Sequence, residues 1–131
     1  MKRMISILAA SAALLCAGTT AAFAHHSYAM FDKTKTLKIV GTVRTVQWTN
    51  PHVYVWLYVP NDKGKQDVWG IEFGGGPNGL ERHGWTKRTL QAGDKVTLTI
   101  NPLRDGRTGG LFLNVALPNG KVLTMNGDDK S

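Results

Sequence analysis

A mainly β fold is predicted, a small barrel of five to six strands with one short helix between the third and fourth. Three observations predict it. Apolar residues alternate with period two in five separate runs. Gly, Pro, Asn and Asp clusters punctuate those runs. Only one stretch, residues 78–83 with Gly84 behind it, reads as a helix and its stop. The order of three strands, helix and two strands, with a terminal hairpin, is that of an OB-like Greek-key barrel. A different small barrel or a sandwich is the alternative.

The elements follow in chain order. The opening "MKRMISILAASAALLCAGTTAAFA" has a basic start at Lys2 and Arg3, an apolar run, and small residues at Ala22 and Ala24. That pattern predicts a signal peptide over residues 1–24, cut after Ala24, with Ala22 as the competing site. The run is shorter than the roughly 20 residues that span a bilayer, so no transmembrane anchor is expected after cleavage. Lipidation at Cys16 is not expected, because Leu15 stands where a small residue belongs. Residues 25–35 read as an N-terminal arm and residues 36–131 as the barrel.

Within the barrel, "TLKIVGTVRTVQW" places Leu37, Ile39 and Val43 in one phase, with Gly41 as the expected bulge or bend. "TNPH" is a turn or kink. In "HVYVWLYV", Val53, Val55, Leu57 and Val59 point to the core; His52, Tyr54, Trp56 and Tyr58 point away. "NDKGK" is a hairpin loop and "DVWGIEF" the third strand, with Glu72 opposite in phase to Ile71 and Phe73. "KVTLTI" sends Val96, Leu98 and Ile100 inward. "NPLRDGRTGG" reads as a loop and "LFLNVAL" as a strand. "PNG" is expected to make a two-residue turn into a last strand, "KVLTM".

Composition bounds the function. The full chain has 131 residues, 42% of them hydrophobic, and a formal charge of +7. Loss of the leader removes Lys2, Arg3 and the single cysteine, leaving 107 residues at +5 without a thiol. Disulfides, Cys-based metal sites and Cys nucleophiles are then excluded. An exported protein meets little nucleic acid, so the charge suits anionic envelope surfaces, acidic partners or solubility. No serine sits in a nucleophile elbow. Glu72, Glu81 and Asp105 show no spacing that pairs an acid with a base. An enzyme is not expected.

Three candidate sites remain. Cleavage after Ala24 would give His25 a free α-amine beside its own imidazole, a chelating pair that suits copper(II) best among divalent first-row metals. A further imidazole would come from His52, the first choice because a strand preorganises it, or from His26 or His83. Met30 is a nearby thioether. The second candidate is the outward face of Tyr54, Trp56 and Tyr58, with Glu72 as polar neighbour. Flat rings there suit a protein or saccharide partner, unless "SYAMF" lies over them. The third is the loop carrying Arg104 and Arg107, a candidate anion site whose simpler reading is a glycine-rich hairpin loop.

The runs "AHHSYAMFD", "GTVRTVQWTNPHVYVWLYV", "LERHGWTKRTLQAGDKVTLTINPLRDGRTGG" and "NGKVL" resemble a family of small exported bacterial proteins known only as a domain of unknown function, number 6152. The resemblance covers nearly the whole mature chain. It implies export to the periplasm or medium and a small β-barrel, and it carries no established activity. In size, export and fold order the chain also resembles small periplasmic copper chaperones. It departs from them in lacking strand methionines, since Met30 and Met125 lie outside the expected barrel. The expected protein is thus a monomeric or weakly dimeric binder of a metal ion or an envelope protein.

Overall fold

The structure is a computed structural model and describes residues 28–129. The chain divides into two compact units, Met1–Met30 and Phe31–Ser131. The second holds seven strands and a helix: β1 (Leu37–Gln47), β2 (Tyr54–Pro60), β3 (Gln66–Glu72), α1 (Pro77–Glu81), β4 (Lys95–Pro102), β5 (Gly109–Ala116), β6 (Val122–Thr124) and β7 (Gly127–Asp128).

The period-two runs become an antiparallel sheet in the order β3-β2-β1-β4-β5-β6-β7. Strand β3 also pairs with β5 in parallel, which closes β1 to β5 into a five-stranded OB-like barrel. Closure depends on two glycines. A Cβ on Gly109 would stand 2.9 Å from the Gly70 carbonyl oxygen; one on Gly110 would stand 2.6 Å from that of Asn101. The sequence assigned this Gly-Gly pair to a loop. It lies within β5, because strands this close leave no room for side chains. Gly110→Ala is therefore expected to cost about 1–3 kcal/mol, since backbone must move to admit the methyl. Urea unfolding measures this, and an unchanged midpoint would show that closure does not need the glycine.

The interior holds the residues that alternation selected: Ile39, Val43, Val53, Val55, Leu57, Ile71, Val96, Leu98 and Ile100 are all buried. Phe73 stacks on Phe112 with ring centroids 4.0 Å apart, and Trp85 meets both edge-on. Two expected core residues do not join it: Leu37 is exposed and Val59 is only partly buried.

Four local expectations change. The irregularity in β1 falls between Val43 and Thr45, not at Gly41. Gly41 is needed for close approach, as a Cβ there would lie 2.7 Å from the Tyr58 carbonyl oxygen. The helix is one residue earlier in onset and two shorter at its end, with Pro at its start; Gly84 does take the left-handed conformation, φ 83°. The β5–β6 turn is longer than two residues. Leu117 N–H donates to the Lys121 carbonyl, and Gly120, φ 84°, occupies the left-handed position, as in a three-residue hairpin loop. Beyond β6 the chain turns again to form β7, which the sequence did not announce.

Residues 31–35, expected as the end of an arm, are fastened to the barrel. Phe31 is buried and bridged to Leu103. Asp32 N–H donates to the Pro102 carbonyl, and the buried Asn101 amide donates to the Lys35 carbonyl at 2.8 Å. Among the described residues, no helix is long and apolar enough to cross a membrane.

Candidate functional site

Strand β2 carries the candidate face. Its register sets Tyr54 opposite Glu72, Trp56 opposite Gly70 and Tyr58 opposite Val68 on β3. Alternation turns these side chains away from the core, as expected, but the face is not bare. Tyr54 and Trp56 are half-buried, and only Tyr58 counts as exposed.

The reason lies in Gly70. A Cβ on it would stand 2.6 Å from Trp56 Cζ3, so the six-membered ring fills the space that a side chain would take. A glycine inside a strand exposes backbone, and a cross-strand aromatic ring that covers it restores packing. Tyr54 lies nearly parallel to Trp56, with centroids 6.5 Å apart and planes at 19°. At the other end, the Arg44 guanidinium sits 5.7 Å from the Tyr58 ring centroid. Neither Gly70 nor Arg44 was found from the sequence. The Gly in "DVWGIEF" was visible, but its opposite number depends on register.

Two residues ahead of β2, outside the strand to which the sequence assigned His52, stands a polar pair. His52 Nδ1 lies 2.6 Å from Glu72 Oε1, with the carboxylate buried and the imidazole half-buried. A carboxylate only accepts, so Nδ1–H is the donor. Such a bond fixes the direction in which a ring points. Two predicted residues, His52 and Glu72, are thus brought together.

The other predicted metal ligands are not part of this pair or are not described. His25 and His26 lie outside the described residues. His83 follows α1, exposed, with its N–H donated to the Leu80 carbonyl. Among the described residues there is no group of three or more His, Cys, Asp or Glu side chains able to hold a metal. Met125 packs partly against the core.

Arg104 and Arg107 both face carboxylates. Arg107 Nε donates to Asp105 Oδ2 at 2.7 Å, and an Arg104 nitrogen lies 3.8 Å from Asp32. The Arg107 backbone N–H and then its side chain hold the Asp105 carboxyl below the usual range. For Asp32 the Thr34 hydroxyl leads, with the Thr34 N–H, Arg104 and Lys35 adding to it against partial desolvation. Both acids stay ionised at neutral pH, so an anion at this loop would compete with resident carboxylates.

A closed five-stranded barrel with a histidine–carboxylate pair beside an aromatic strand face is thus the class of domain that the fold defines. The chain belongs to the Family of unknown function (DUF6152), whose model matches residues 12–114. No curated protein and no solved structure matches the chain.

Proposed function

We propose that this protein is an exported binding protein, not an enzyme, that holds one copper(II) ion between His52 and the mature N-terminal His25. The observation that carries this reading is the 2.6 Å contact between His52 Nδ1 and the buried Glu72 carboxylate. A half-buried imidazole held by a carboxylate is a preorganised ligand rather than a solvated surface histidine. The amine and ring of His25 supply the chelate, and the His52 imidazole supplies the third nitrogen.

Copper(II) titration of the exported protein, followed by electron paramagnetic resonance, tests the reading. One equivalent should bind with nitrogen hyperfine structure, more weakly as pH falls, because protons compete for the same nitrogens. Glu72→Gln should weaken binding about 10–100-fold by loosening the ring. His52→Ala should weaken it at least as much and remove one nitrogen from the spectrum. An unaltered spectrum and affinity in His52→Ala would take the barrel out of the site.

A second reading rests on a separate observation. Trp56, Tyr58 and Arg44 form a continuous half-open surface on β1 and β2, and these residue types dominate the energetics of protein interfaces. An envelope protein is the partner such a surface favours.

A further inference from the structure

The terminal hairpin, which begins after the last residue matched by the family model, builds a cavity against the turn that follows α1. It is held there at two points. Trp85 Nε1–H donates to the Thr124 carbonyl at 2.8 Å. Gly127, φ 89°, sits so close to the turn that a Cβ would stand 2.5 Å from the His83 carbonyl oxygen. Between these points and the β5–β6 turn the two walls stand apart, leaving a half-open cavity of about 610 Å³. That lies within the usual range of small-molecule sites, about 300–1,000 Å³.

The lining indicates the kind of ligand. Trp85 and Leu123, both buried, form an apolar floor. His83 stands on one wall; Lys121, Asn126 and Asp128 stand on the other. Lys121 Nζ and Asp128 Oδ1 are 2.8 Å apart and cancel each other's charge. The chain as a whole is strongly basic, yet this cavity is balanced. An anion would meet Asp128 and a cation would meet Lys121, so neither gains from entering. A neutral ligand avoids both penalties. Neighbouring hydroxyl groups each donate and accept, so one can accept a hydrogen bond from the ammonium while the next donates one to the carboxylate. The Asn126 amide beside them and the His83 ring opposite add further polar groups.

From this we infer that the cavity is a binding site for a neutral polyhydroxylated ligand, a saccharide unit. The site is separate from the His52 pair and from the β2 face, and it stands or falls independently of the copper reading. Because Trp85 is buried, its ring serves as floor and offers no open stacking plate. Binding is therefore of the weak kind that single sugars show without stacking.

Saturation-transfer NMR on the whole protein tests this, with D-glucose, N-acetyl-D-glucosamine and maltose as probes and acetate and ethylammonium as charged competitors. Transfer to the sugar protons is expected, undiminished by either competitor. Asp128→Ala and, separately, Lys121→Ala should each weaken it about tenfold, the scale of one lost charge-assisted hydrogen bond. Both positions are exposed, so both variants should retain the native melting profile. Absence of transfer in the native protein would overturn the inference, as would displacement by acetate. So would undiminished transfer in both variants. Loss on Trp56→Ala with retention in Asp128→Ala would move the sugar to the aromatic strand face and refute the cavity as its site.

Discussion

Trp85→Ala should be the most destabilising single truncation of a tryptophan in this protein, at about 3–5 kcal/mol. The side chain is 2% exposed, meets Phe73 and Phe112 edge-on, and donates its one polar hydrogen to Thr124. Removing it opens a cavity at the centre of the aromatic cluster and cuts the tie between the turn after α1 and the terminal hairpin. For a domain of this size, each kcal/mol shifts Tm by roughly 4–8 °C, so thermal denaturation should show a fall of more than ten degrees or complete unfolding. Trp56→Ala should behave differently. Its ring covers Gly70 from the outside and is half-buried, so the loss should be about 1 kcal/mol, the scale of a cross-strand pair. Capture of an envelope partner should nevertheless weaken in Trp56→Ala, because large aromatic anchors carry most of an interface's energy. A fall in Tm as large as that of Trp85→Ala would show that Trp56 is a packing residue first. That outcome would end the case for the β2 face as a docking surface.

The second large effect concerns the chemical start of the mature chain. Periplasmic extracts should yield a soluble species beginning at His25, and N-terminal sequencing establishes this. A lipid-blocked Cys16 would overturn both the export route and the metal argument. Given that start, one extra residue placed ahead of His25 retains every imidazole while moving the amine away. Copper(II) affinity in that variant should drop about 100-fold or more, equivalent to roughly 2.7 kcal/mol, because a chelate ring has been opened. Combination with His52→Ala should lower it further. Equal affinity with and without the extra residue would show that the N-terminal chelate is not the site. Sensitivity to His26→Ala, with none to His52→Ala, would assign the metal to a peptide-like mode on the N-terminal segment.

Much of the barrel was legible because its signals are local. Val53, Val55 and Leu57 repeat every second residue, as do Val96, Leu98 and Ile100, and one face of a strand must be buried. Gly84 closes a helix because its position requires a left-handed backbone. The placement of Glu72 on β3, out of phase with Ile71, was likewise readable from alternation, whereas His52 was expected on β2 and lies two residues ahead of it. Their direct contact was not readable, since it depends on which residue of β3 stands beside β2.

The features missed from the sequence share that cause. Gly70 beneath Trp56, Gly109 and Gly110 at the barrel seam, and Gly127 against His83 are each required by an approaching atom far away in the chain. A glycine in a sequence reports that something must come close or turn sharply, without saying what. Leu37 carried the right phase for the core and still lies exposed, because alternation reports which way a residue points and not whether anything packs over it.

By itself, then, the sequence determined the strand order, the inward residues and the residue types on the outer face of β2, all set by periodicity and turn chemistry within a few neighbouring positions. Only the tertiary structure decided that β3 closes on β5, that Glu72 holds His52, that Phe31 is fastened beside Leu103, and that the terminal hairpin forms one wall of a half-open, charge-balanced cavity. Each of these joins segments distant in the chain, and which segments meet is a property of packing the whole core at once.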